Sequence, residues 1–235
     1  MQPSRTWPRR AAGAARWWGG AALLSALWAP PAPAQAPLAS ELEKTLYALG
    51  VRCGNELVDF ALEEAEVEAV ARGLRDAALR RAVAVNEGAF RTAIDELRGE
   101  RRPLAIAREH QRAEEFVARA AASEGALPLS NGALYFELRP GTGASPRASD
   151  RVQVHFHGRL ADGSVFDSSV ERGVPRQLSL SRMFPCWREG VQRMRVGGKS
   201  RLVCPPDTAY GDEGTPRVPR GAALDLEIEL LAILR

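Results

Sequence analysis

The hydrophobic period of this chain changes near residue 127, and that change limits the fold more than any single motif does. Ahead of it, from Ser40 to about Glu124, apolar residues recur at helical spacing and proline is nearly absent. Beyond it they alternate every second residue. A period of about 3.6 buries one stripe of a helix, whereas a period of 2 buries one face of a strand. The chain therefore reads as an all-α N-terminal part followed by an α+β part built on an antiparallel sheet.

In the helical part, Ser40 with Glu43 three residues on forms a capping box ahead of Leu42, Leu46 and Leu49. Val67, Val70 and Leu74 mark a second stripe, and Phe90, Ile94 and Leu97 a third. Pro103 suits the first turn of a fourth helix, where its missing N–H is harmless, and Gly125 suits its stop. With Phe116 and Val117 as its main apolar anchors, this charged helix would span about 30 Å as an exposed connecting arm. The stripes are too narrow and too short to be stable alone, so the helices need one another or a second chain.

In the second part, "RVQVHFHGRL" sets Val152, Val154 and Phe156 against Gln153, His155 and His157, and "ALDLEIEL" sets Leu224, Leu226, Ile228 and Leu230 against Asp225, Glu227 and Glu229. Both are strands with one buried face. Similar strands are expected near 133–138, 164–169, 176–180 and 199–204. Between the last two lies "FPCWREGVQRM", with Phe184, Trp187, Val191 and Met194 on one helical face. An antiparallel sheet folded over a single short helix follows.

The first 34 residues stand apart. Arg5, Arg9, Arg10 and Arg16 precede the apolar run "WWGGAALLSALWA", and Ala32-Pro33-Ala34 has the small-residue pattern of a cleavage site. This is read as a secretory signal peptide, its core falling short of the about 20 residues a membrane span needs. Those four arginines turn a formal net charge of +3 into −1 for the remainder. Nucleic-acid binding thereby loses its electrostatic footprint. With Lys44 and Lys199 the only lysines, no lysine nucleophile is expected. His155 and His157 share an outer strand face but His110 lies in the helical half, so no metal site is expected. Gly141 and Gly143 sit in a turn with no following helix, which excludes a phosphate loop.

The stretches "VQVHFHGRLADGSVFDSSVERGVP", "CWREGVQRMRVGGKSRL", "PPDTAYGDEG" and "LDLEIELL" occur in the order and spacing of an FKBP-type peptidyl-prolyl cis-trans isomerase, which residues from about 130 to 235 resemble. The helical half, including "LYALGVRCGNEL", is similar to the dimerising N-terminal domain of the macrophage-infectivity-potentiator kind of bacterial FKBP. The resemblance implies an FKBP-like sheet wrapped on one short helix and three segments: a signal peptide over 1–34, a helical dimerisation domain over 35–126 and an isomerase domain over 127–235. It implies a shallow apolar pocket lined by Phe156, Phe166, Met183, Phe184, Trp187, Tyr210, Val218 and Leu226. Trp187 would be its floor and Asp167 its rim acid, with Arg172 as charge partner. The Tyr210 hydroxyl and the Phe184 N–H would hold substrate carbonyls. No cofactor is implied. The partners would be unfolded or partly folded proline-containing proteins of a Gram-negative periplasm, met by a homodimer joined through its N-terminal helices.

Four positions depart from the family pattern. Phe156 replaces a tyrosine that would bond the rim acid, Leu226 replaces an aromatic wall, and Arg220 in "RVPRG" replaces a proline, which would loosen the loop after Tyr210. Reduced activity and a still weaker affinity for a macrolide ligand are expected, and a proline-binding chaperone module with little catalysis is the alternative function. The fourth departure is Cys186, in place of a glycine. Cys204 also stands where a branched aliphatic is usual, and a disulfide between the two or two separate buried thiols both remain open.

Overall fold

The computed structural model describes residues 38–234; the leader expected over 1–34 lies outside the described residues. Helix α1, Glu41–Asn55, starts where the capping box places it: Ser40 Oγ accepts from the Glu43 N–H at 3.1 Å, and the Glu43 carboxylate accepts from the Ser40 N–H at 3.1 Å. A second box built on Glu63 and Glu66 opens α2, Glu64–Ala78. Neither helix buries a residue, and Leu42, Leu46, Leu49 and Leu74 are more than half exposed.

The third and fourth helices expected from the sequence are one. Helix α3 runs unbroken over Arg91–Ala121, 31 residues with Pro103 inside it, a length of about 46 Å. An interior proline forfeits one hydrogen bond and crowds the preceding turn, and contacts on both sides of Pro103 hold the helix through it. Arg101 forks onto Glu66 at 2.6 and 2.7 Å, and Arg102 Nε reaches Asp59 at 3.2 Å. Arg108 donates to the Ala61 carbonyl at 3.1 Å and to Glu63 at 3.0 Å. Phe60, in the 3-10 turn Val58–Phe60, is buried with the Arg98 guanidinium 4.9 Å above its ring.

Nor is α3 a free arm. Ala105, Ala113 and Ala120 are buried, and Ala120 packs with Phe116 and Val117 onto Leu134, Phe136 and Val203. These belong to β2, Leu134–Arg139, and β6, Lys199–Cys204. Their neighbours Tyr135, Leu202 and Cys204 point into the main core, so α3 covers the opposite face of the same strands.

The sheet is antiparallel throughout, in the order β1-β2-β6-β7-β3-β4, with β5 also paired to β3. Its remaining strands are β1, Leu127–Pro128; β3, Arg151–Leu160; β4, Val165–Ser168; β5, Arg176–Ser179; and β7, Leu224–Leu234. Along β3 and β7 burial alternates as the sequence predicts. Helix α4, Pro185–Arg193, lays Trp187 and Val191 on the inner face among Val152, Val154, Leu202, Leu224, Leu226 and Ile228. The outer-facing His155 and His157 rest on the Ser169 and Ser168 hydroxyls at 3.2 and 2.9 Å.

Cys186, in the first turn of α4, and Cys204, at the end of β6, are joined by a disulfide with Cα atoms 5.7 Å apart, and both are fully buried. Cys53 is a free thiol, half-buried in α1.

Candidate active site

Between α4 and the concave face of the sheet lies a cavity of about 140 Å³, lined by Phe156, Phe166, Asp167, Arg176, Leu178, Met183, Phe184, Trp187, Tyr210 and Leu226. Its floor is Trp187, 4% exposed, whose Nε1 is buried without a hydrogen-bond partner among the described residues. Phe156 meets the indole edge-on with centroids 5.3 Å apart, and Phe184 does so at 6.0 Å. Phe184 leans in turn on Tyr210 at 5.2 Å. Edge-to-face contacts of this kind hold ring orientation as well as burying area.

Local sequence explains the placement. Phe156 alternates inward from β3, and Leu226 sits beside it on β7, opposite Gly158. A Cβ on Gly158 would fall 2.6 Å from Phe166 Cζ and 3.1 Å from Leu226 Cδ2. The missing side chain is therefore the space that the Phe166 ring occupies. Phe184 caps α4 with extended backbone, and Pro185 follows at the first helical position, which needs no N–H. The Phe184 N–H itself enters no backbone hydrogen bond among the described residues.

At the rim, Asp167 is paired with the Arg172 guanidinium, with Arg217 Nη1 a further 4.0 Å contact. The Tyr210 hydroxyl is pushed above its ordinary pKa of 10, first by burial and then by the Asp167 charge. It therefore stays a protonated donor through neutral pH.

The expected lining residues meet in one cavity with the exception of Val218, which is 2% exposed and packs within the core cluster instead. Sequence reasoning missed Leu178 and Arg176 on β5, and Arg217 in the loop after Tyr210. Leu178 carried a signal, as the one apolar residue of its short strand, paired across from Val152. Arg217 carried none beyond its charge. Arg220 does not loosen its loop: Nη1 donates to the Asp212 carbonyl at 2.9 Å, and Nε lies 3.6 Å from Asp59.

Comparison with known proteins agrees with this geometry. Residues 143–231 match the family model described as FKBP-type peptidyl-prolyl cis-trans isomerase. The chain is 34% identical to the FKBP-type isomerase FkpA of Aeromonas hydrophila over 86% of its own length and 81% of that protein's. It is 34% identical to the FKBP-type 22 kDa isomerase of Escherichia coli, covering 80% and 93%, and 30% identical to the isomerase Mip of Coxiella burnetii, covering 86% and 91%. Among solved structures, Escherichia coli FkpA is similar with a TM-score of 0.61 at 28% identity, covering 84% of this chain and 98% of that one. A peptidyl-prolyl isomerase from Pseudomonas syringae matches 55% of the chain and 96% of its own at 38% identity, with a TM-score of 0.52. The aromatic cavity under α4 thus sits in a chain that belongs to the FKBP-type peptidyl-prolyl cis-trans isomerases.

Proposed function

We propose that this isomerase works on the X–Pro bonds of unfolded or partly folded proteins in the Gram-negative periplasm, as a homodimer, with the cavity under α4 as its active site. The observation that carries the site is chemical: a mainly apolar hollow with four linked aromatic rings, one of them bearing a protonated hydroxyl, and ionisable groups only at its mouth. Rotation about X–Pro is opposed by amide resonance, with a barrier of about 18–20 kcal/mol. Twisting localises the nitrogen lone pair and weakens the charge separation of the planar amide, so an apolar surround favours the twisted form. Catalysis then needs tighter binding of that form and no covalent step.

In this reading the proline ring seats on Trp187, walled by Phe156, Phe166, Met183 and Leu226. The Tyr210 hydroxyl and the Phe184 N–H donate to the carbonyls that flank the bond. Asp167, engaged by Arg172, orients the bound chain at the rim. Its carboxylate takes up no proton, since the reaction releases none. A macrolide would enter the same hollow, with affinity lowered by the smaller wall that Leu226 provides.

The segment boundaries proposed are a leader over 1–34, a helical dimerisation region over 35–126 and an isomerase domain over 127–235. Dimerisation is supported by the uncovered leucines of α1 and the valines and leucine of α2, since helices of this length gain their stability from burying such a face. The test is a protease-coupled assay on a Xaa-Pro peptide. Tyr210→Phe and Asp167→Val should each lower kcat/KM, and loss of one transition-state hydrogen bond predicts roughly five- to thirtyfold. If both variants stay within a factor of two of the parent, the site is elsewhere.

A further inference from the structure

The loop from Tyr210 to Gly221 returns on itself, and its neck is closed by the Gly221 N–H donating to the Gly211 carbonyl at 2.9 Å. Tyr210 is the residue immediately before that neck. Three contacts fasten the neck to the helical half of the chain. His110 Nε2, on α3, lies 2.6 Å from Asp212 Oδ1. Arg220 grips the Asp212 carbonyl with one nitrogen and approaches Asp59, in the 58–60 turn, with another. The third contact is steric: a Cβ on Gly221, whose φ is +77°, would meet the His110 ring at 3.0 Å and the Ile106 carbonyl at 3.3 Å. Helix α3 therefore lies directly on the neck, at a position that only glycine can occupy without strain.

We infer that His110 and Asp59 are positioning residues for isomerisation, holding the loop so that the Tyr210 hydroxyl faces the substrate carbonyl. The inference rests on the reading of Tyr210 as a substrate donor. Asp59 is itself steadied by Arg102 of α3 at 3.2 Å, so the chain of contacts runs from α3 through Asp59 and Arg220 to Asp212, and back to α3 through His110. Exposed pairs such as these are individually weak, but they converge on one neck and share Asp212. The helical half thus reaches the catalytic loop as well as joining protomers. A substrate that must first order a slack loop pays the ordering cost on binding, which raises KM and leaves kcat alone.

The test uses the chain without the leader proposed over 1–34, in which Trp187 is the only tryptophan, and a Xaa-Pro peptide, with peptide binding followed by Trp187 emission. His110→Ala and Asp59→Ala should each raise KM about two- to fivefold with kcat unchanged, and together by more than either alone. His110→Gln, which still donates to Asp212, should restore KM toward the parent. In a Tyr210→Phe background the His110→Ala/Asp59→Ala pair should no longer move KM, a result that a loss of general stability would not produce. The inference is overturned if the paired variant keeps the parental KM while Tyr210→Phe still slows the enzyme. It is equally overturned if the KM effect persists in the Tyr210→Phe background. Should Tyr210→Phe itself be silent, the site reading fails and this one falls with it.

Discussion

Removing the Cys186–Cys204 disulfide gives a prediction whose size can be worked from the fold. The bond closes a loop of 18 residues between the first turn of α4 and the end of β6. Cross-linking a loop of that length lowers the entropy of the unfolded chain enough to contribute about 3 kcal/mol at 25 °C. The substitution pair Cys186→Ala/Cys204→Val keeps both positions apolar, with valine filling the inward site opposite Leu224, so loss of the cross-link dominates. With a urea dependence of about 1–3 kcal/mol per molar, the unfolding midpoint should fall by about 1–3 M. Trp187 is the only tryptophan after residue 28 and lies next to Cys186, so its emission follows the unfolding of this core directly. Thiol titration of the unreduced, denatured parent should find one reactive cysteine, Cys53, of the three in the sequence. Because both sulfurs are fully buried, a dithiol should leave the native protein untouched and reduce it only as urea opens the core. Three titratable thiols, or a midpoint that the paired substitution does not move, would refute the reasoning.

Two further outcomes follow from single contacts. The Glu66 carboxyl is held down from 4.5 to about 2, first by its hydrogen bond from Arg101 and then by the Glu63 N–H. A depressed carboxyl stabilises the fold above its unfolded pKa and loses that contribution as pH falls from 4.5 through about 2. Hydrogen-exchange protection of the α2 amides, taken relative to their intrinsic rates, should therefore fall across that window in the parent, while Glu66→Gln should be less protected at neutral pH and flat below 4.5; matching acid profiles of protection would exclude the mechanism. Gly158→Ala should displace the Phe166 ring, since the new methyl would stand 2.6 Å from it. Overpacking of this kind costs about 1–3 kcal/mol, so kcat/KM on the peptide should drop roughly tenfold, and an unchanged value would mean the ring has no part in the pocket.

What could be read from the sequence depended on whether the deciding interaction was local. The alternation of β3 and β7 and the α4 face carrying Trp187 and Val191 are patterns of neighbouring residues, and both appear in the structure where the spacing puts them. Pro103 misled because its local effect, a lost hydrogen bond, is real but is outweighed by Arg101, Arg102 and Arg108 reaching partners 35 to 47 residues away. The docking of α3 was hidden for a different reason. Its buried stripe is Ala105, Ala113 and Ala120, which share a helical face but are too small to register as a hydrophobic pattern. Of these Ala120 packs on the strands, and only the facing Leu134, Phe136 and Val203 reveal why it is buried. The guanidiniums around Asp167 lay beyond sequence reasoning in part: Arg172 is five residues away, whereas Arg217 arrives from a loop fifty residues on.

The isomerase site proposed here acts by differential binding alone, and so depends on the placement of its donors. A donor that acts only by favouring one shape of the substrate loses its effect with small errors of position. The two donors assigned here come from segments with little secondary structure of their own: Phe184 is a helix cap, and Tyr210 follows a single 3-10 turn, Pro206–Thr208. The disulfide begins two residues after Phe184 and ends six residues before Tyr210, so it ties together the chain segments that carry both. Helix α3 holds the same loop from its far side through His110. Rigidity is thus supplied where regular structure does not supply it. Substitutions outside the cavity lining, at Cys204 or His110, should therefore alter substrate affinity, while substitutions at exposed positions on α2 should not.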